Sequence, residues 1–164
     1  MDVALVAFFL LNLCFITYIV DLEQLVIANP AHFTYPWWPP APLVNLVHWW
    51  GRTYDPLLLA RPVWWKATIW IDELTFGPFY VVAVIAFVRR LDWIRLLAVM
   101  WATAMVTNVT IILSAEFAGA HATPHPAMVL LANLPWLLGP TAAVIRMAPS
   151  EHPSTRPLGE GPPR

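Results

Sequence analysis

DPLLLARPVWWKATIWIDELTFGPFYVVAVIAFVRRLDWIR, residues 55–95, is the stretch on which the reading of the chain turns. From Val63 to Val88 it stays apolar for longer than the roughly 20 residues that a helix needs to cross a bilayer, and Arg89 and Arg90 close it. Inside that run stand two adjacent carboxylates, Asp72 and Glu73, too far from either end for short acidic stems to reach the headgroups. Charge at that depth is costly, so the pair marks a polar site within a membrane helix. Pro78 has no N–H to offer the carbonyl of Leu74, which leaves a free backbone acceptor within about two turns of the acidic pair.

Three more apolar runs of spanning length occur, at about 3–20, 96–115 and 127–145, so the chain is predicted to be an all-α membrane protein with four transmembrane helices. Composition agrees. Of 164 residues, 59% are hydrophobic and only 12% charged, and the mean hydropathy of +0.62 is far too high for a soluble domain of this size. A formal charge of −1 without any basic patch excludes nucleic acid as a partner. Cys14 has no second cysteine to pair with, which excludes a disulfide and a thiolate metal site within the chain. The first run lacks a positive n-region and a small-x-small site after Val20, and is read as a retained helix rather than a signal peptide. Arg89, Arg90, Arg95 and Arg146 put both termini on the cytoplasmic side, in a bacterial inner membrane or the endoplasmic reticulum according to source. The membrane domain is expected to occupy residues 1–147, and the Pro- and Gly-rich tail, 148–164, to be disordered.

The first loop, residues 21–62, carries Tyr35, Trp37, Trp38, Trp49, Trp50 and Tyr54, aromatics that belong at the headgroup level. Within it the run LVNLVHWWGR has apolar residues at helical spacing and predicts a short interfacial helix, followed by Asp55 as an N-cap and Pro56 at the first helical position. In the first span Cys14, Thr17, Tyr18 and Asp21 share one α-helical face. Spacing leaves open whether Asp21 and Glu23 serve a site or mark the helix end in water. The third span carries Thr103, Thr107, Thr110 and Ser114 as a polar stripe expected to face other helices, with Asn108 beside it. In the fourth, Asn133, Pro135, Trp136, Gly139 and Pro140 predict a broken helix that offers an amide and an indole. His121 and His125 are separated by Pro124 and are not aligned as ligands, and His48 reads as an interface residue; no metal and no cofactor are expected.

An ordered series of residues then resembles the EXPERA superfamily of four-helix membrane proteins and, within it, the sigma-2 receptor or transmembrane protein 97 family. The series runs Asp21-Leu22, Asn45-Leu46, Trp49, Asp55-Pro56-Leu57-Leu58, Pro62, Trp64, Lys66, Glu73-Leu74, Pro78-Phe79, Ala86-Phe87 and Trp93-Ile94-Arg95, almost without gaps. The resemblance implies an intramembrane pocket for sterols and lipophilic amines. In it Asp21 pairs with a ligand ammonium, Asp55 hydrogen-bonds and orients that carboxylate, and Glu73 and Asn108 line the wall. Gly77 stands where the family has a larger amide, and Asp72 lies outside the family pattern. Trp101, Asn133 and Trp136 complete the candidate lining.

Gly77-Pro78, Val84 to Phe87, Glu116 and the Asn133 to Trp136 spacing also resemble the emopamil-binding sterol isomerase branch. Its first-span His and Glu would fall near Leu13 and Thr17 here, and its second-span glutamate near Ile69, so that mechanism cannot be copied. Two functions therefore stay open. One is a non-catalytic binding protein for a sterol-like, polycyclic or isoprenoid lipid or a lipophilic amine. The other is a membrane isomerase or cyclase in which Glu73, Asp21 or Asp72 acts as a carboxylic acid. The expected partners are such a hydrophobic molecule, the membrane itself and, as an open alternative, a second copy of the chain.

Overall fold

A computed structural model describes residues 2–147, so the tail expected to be disordered lies outside the described residues. The chain runs through α1 (Asp2–Val26), α2 (Ala41–Thr53), α3 (Pro56–Ala60), α4 (Val63–Arg89), α5 (Asp92–Ala118) and α6 (Pro126–Met147), with no strand among the described residues. Of these, α1, α4, α5 and α6 are long and apolar enough to cross a membrane. α1 packs along α4, and α5 along α6. Arg146 Nε donates to Asp2 Oδ1 over 2.6 Å, which ties the start of α1 to the end of α6 and places both at one end of the bundle, as an even number of spans requires.

At that end the core is aromatic. Phe9 is fully buried and sits edge-on to Phe87 and Trp101, both with ring centroids 5.4 Å away, while Phe79 stacks on Trp101 at 5.0 Å. Offset and edge-to-face rings of this kind add to the apolar area that they bury. At the other end, Val47, Leu57, Leu58, Trp65 and Ile69 form a smaller cluster beneath α2 and α3. The predicted interfacial helix is α2. Its Val44, Val47, His48 and Gly51 turn inward, and Leu46 and Trp49 stay exposed. Asp55 caps α3 by accepting from the Leu58 N–H at 3.0 Å, with Pro56 at the first helical position as expected. Trp37, Trp70 and Trp93 lie exposed at 96%, 51% and 58%, placements suited to lipid and headgroups.

Two spans depart from α geometry where polar residues gather. α4 widens to π-helix over Asp72–Phe76, and the Gly77 N–H reaches back five residues to the Asp72 carbonyl. Pro78 explains the position, because its ring and missing N–H disrupt the preceding turn. α1 is π-helical over Asn12–Asp21. That corrects the expected common face: Thr17 turns fully inward, whereas Cys14 and Tyr18 point outward, since a face counted at 3.6 residues per turn does not survive i→i+5 winding. The wider winding also leaves the Tyr18 carbonyl for the Trp38 indole, which donates to it over 2.7 Å and pins the first loop to α1.

The hydroxyl stripe of α5 needs a second correction. Thr103, Thr107, Thr110 and Ser114 are exposed and do not pack between helices. Each hydroxyl donates to the carbonyl four residues back, at 2.7 to 2.8 Å, so none carries an unmet hydrogen bond into lipid. α6 breaks at Leu134, between segments Pro126–Asn133 and Pro135–Met147, as the prolines predict.

Candidate functional site

A cavity of about 340 Å³ lies between the π-helical half of α1, α2, α3, the first half of α4 and the facing parts of α5 and α6. It falls at the lower end of the roughly 300–1,000 Å³ typical of small-molecule sites. Phe15, Ile16, Val20, Val47, Leu58, Ile69, Met105 and Ile112 give it apolar walls. Asp21, Asp55, Asp72, Asn108, Asn133 and Trp136 converge on it from five helices or their caps. Three other expected residues stand elsewhere. Trp101 is in the aromatic core, and Gly77 is buried where α4 meets α1, so that a Cβ there would come within 3.1 Å of Thr17 Cγ2. Glu73 is half-buried outside the lining, with Oε1 shielded and unpaired among the described residues. Of the adjacent carboxylates it is Asp72, outside the family pattern, that reaches the cavity.

The hydrogen bonds give the cavity its chemical character. Trp136 Nε1 donates to Asn12 Oδ1 at 2.6 Å, Trp65 Nε1 to Gln24 Oε1 at 2.6 Å, Gln24 Nε2 to the Val20 carbonyl at 3.1 Å and Asn133 Nδ2 to the Val129 carbonyl at 2.9 Å. These indole and amide donors are thus committed to the protein. The carboxyl oxygens face the cavity with few partners: Asp72 Oδ1 accepts from the Thr17 hydroxyl at 2.5 Å, and Asp55 Oδ1 accepts from the Leu58 N–H. No Lys, Arg or His contributes to the described lining. Rich in acceptors and free of cations, the cavity matches a ligand that donates hydrogen bonds or carries positive charge.

Thr17→Val keeps the side-chain volume and removes the donor to Asp72. It is expected to lower the stability of the detergent-solubilised protein by about 1–3 kcal/mol, as leaving a buried acceptor without its donor does, while Thr17→Ser stays near wild type in thermal unfolding. Equal unfolding temperatures for the valine variant and the wild type would contradict the bond.

Behind the cavity wall a second polar cluster holds the loop in place. Glu23 is fully buried and takes both oxygens to Arg61 Nη2, at 3.0 and 2.7 Å, and one to His48 Nε2 at 2.8 Å. Arg61 also donates to the carbonyls of Leu58, at 3.0 Å, and Ile27, at 2.6 Å, from a left-handed backbone position with φ of 47°. Glu23 therefore does not mark a helix end in water, and His48 is not an interface residue. Nothing in the spacing signals this, because the partners are 25 and 38 residues apart and each sits beside polar or turn residues.

The EXPERA family, the expanded EBP superfamily, matches the chain over residues 42–147. The chain belongs to the EXPERA superfamily. That match takes in Asp55, Asp72, Asn108, Asn133 and Trp136, while Asp21 precedes it. The sigma intracellular receptor 2 of Macaca fascicularis is 28% identical over 127 residues, covering 69% of this chain and 72% of that protein. Its Homo sapiens counterpart is 31% identical over 77 residues, covering 46% of this chain and 44% of the human one. This EXPERA protein is thus an integral membrane protein of the EBP and sigma receptor group.

Proposed function

We propose that this EXPERA protein binds a hydrophobic, rigid molecule, a sterol-like, polycyclic or isoprenoid lipid or a lipophilic amine, in the cavity between its spans. Asp21 is the charge partner of a ligand ammonium, Asp55 and Asp72 flank it, and Asn108, Asn133 and Trp136 line the remaining wall. The observation that carries the reading is the inventory of the cavity: apolar walls, three aspartates and no basic side chain, with the Trp65 and Trp136 indoles already committed within the protein. A fatty acid anion finds nothing there to neutralise it, whereas an ammonium does. The arginines at 89, 90, 95 and 146 support a cytoplasmic position for the end of the bundle that holds both termini.

A matched set with one polycyclic skeleton and an amine, an alcohol or a carboxylic acid tests the reading by equilibrium binding to purified protein. The amine is expected to bind tightest and the acid not at all. An acid that bound as well as the amine would overturn it.

One observation favours a catalytic second reading: Asp72, a carboxyl outside the binding family's pattern, faces the same cavity as Asp21. A neutral carboxylic acid there protonates a ring or chain alkene, and a neighbouring carboxylate removes a proton from the adjacent carbon, shifting the double bond. Incubation with sterol and isoprenoid alkenes in heavy water would then place deuterium in the product, and Asp72→Asn would stop it. No deuterium across the panel would exclude this reading and leave binding alone.

A further inference from the structure

Asn12 opens the π-helical half of α1 and is completely buried, although the cavity begins only about one turn later, at Phe15 and Ile16. Both ends of its amide are engaged. Nδ2 donates to the Phe8 carbonyl at 2.8 Å, and Oδ1 accepts the Trp136 indole N–H at 2.6 Å. Because an indole only donates and a backbone carbonyl only accepts, the two bonds hold the amide in one orientation. On the side of the chain termini, Gly139 lets α6 close on α1, since a Cβ there would lie 2.8 Å from Phe8 Cζ. Phe8 with Gly139, then Asn12 with Trp136, are successive rungs between the two spans, and the cavity starts beyond the second rung.

That second rung is the floor of the cavity. Trp136 lines the cavity and Asn12 does not, and beneath them lies the aromatic core, where Phe8, Phe9 and Trp101 have ring centroids 5.4 to 6.3 Å apart. Asp21 stands on the order of 10 Å further along the α1 axis, away from the floor. An indole at the edge of a cavity ordinarily offers ring carbon and one N–H donor. Here Asn12 takes the donor, so what Trp136 leaves for the cavity is hydrocarbon. A ligand carbonyl buried against it would lose its water and gain no bond, a cost that a methylene does not bear.

We infer that Asn12 is a positioning residue that sets ligand specificity: from outside the cavity it takes up the Trp136 N–H, makes the floor apolar and selects a ligand whose end remote from its cation is hydrocarbon. The ligand then stands with its ammonium toward Asp21 and its ring skeleton on Trp136. This deepens, and rests on, the reading of the cavity as a site for a lipophilic cation.

The test uses the full chain in detergent and two polycyclic amines that differ only at the ring position farthest from the ammonium, a methylene in one and a ketone in the other. Asn12→Leu removes the acceptor and frees the indole N–H, so the affinity of the ketone relative to the methylene is expected to rise about tenfold or more. Adding Trp136→Phe to Asn12→Leu deletes that N–H and is expected to return the ratio to within about threefold of wild type. Asn108 and Asn133 also bring amides to the wall, but they are the same in every variant and cancel from the comparison. A ratio that does not rise in Asn12→Leu, or that stays raised in the double variant, would overturn the assignment. Trp136→Phe alone keeps Asn12 and serves if Asn12→Leu does not fold: its ratio is expected to match wild type, and a selective loss of the ketone would mean that the N–H already reaches the ligand, against the assignment. Indole N–H NMR spectra of the ligand-free protein check the bond itself. The Trp136 resonance, identified by its absence in Trp136→Phe, is expected to move upfield in Asn12→Leu, and an unmoved resonance would overturn the bond. A resonance that moves in a protein that binds neither amine would overturn the cation-binding reading, and the specificity role with it, while the bond stands.

Discussion

Asp21→Asn is expected to weaken binding of a lipophilic amine about a hundredfold or more while leaving the unfolding temperature within a few degrees of wild type. Truncating one partner of a desolvated charge pair typically costs about 2–5 kcal/mol, and each 1.4 kcal/mol is a factor of ten in affinity. The asparagine keeps the shape and a carbonyl acceptor, so the loss isolates the charge. Asp21 faces the cavity and makes no ion pair among the described residues, so the substitution strands no partner charge in the core. Isothermal titration or scintillation proximity binding with amine and alcohol forms of one ligand separates the effects: the amine loses most of its affinity and the alcohol little. An unchanged amine affinity would remove Asp21 from the site.

The second large effect concerns stability. Arg61→Met keeps an unbranched apolar stem and deletes the guanidinium that meets both oxygens of Glu23 and the carbonyls of Ile27 and Leu58. Glu23 is then left fully buried beside His48 alone, and removing one member of a buried ion pair costs about 3–5 kcal/mol. Against a total stability on the order of 5–15 kcal/mol this is a large fraction, and a broad, early thermal transition in detergent is expected. Glu23→Gln combined with Arg61→Met should lose less than the two single changes together, because the stranded charge is gone. Strict additivity would mean that the pair is not coupled as the distances imply.

How much of this was legible beforehand differs by element. The four spans, the interfacial helix and the Asp55-Pro56 cap are local properties of hydropathy and turn chemistry, and each appeared within a few residues of its expected place. The gathering of Asp21, Asp55, Asp72, Asn108, Asn133 and Trp136 around one cavity followed partly from burial cost and partly from family resemblance. Face assignments were the weakest link. They assumed 3.6 residues per turn, and the spans that carry Asp21 and Asp72 wind as π-helix where those residues lie, which separates Thr17 from Tyr18; Glu73 was placed in the lining by family resemblance, and it is Asp72 that reaches the cavity. The hydroxyl stripe of α5 misled because threonine and serine satisfy themselves on the backbone as readily as on another helix. Glu23, Arg61 and His48 were out of reach for a different reason: their pairing depends on how a long loop folds back, and sequence separation carries no trace of it.

Photolabelling with a polycyclic amine that bears a diazirine on its skeleton, followed by peptide mapping of the cross-linked residues, tests the central claim most directly. Labels are expected on the walls of the cavity, at Ile16, Val47, Met105 or Ile112, and to be displaced by excess unlabelled amine and lost in Asp21→Asn. Labels confined to lipid-facing positions such as Val81, Leu96 or Leu131, undiminished by competitor, would contradict the claim that the cavity between the spans is where this EXPERA protein holds its ligand.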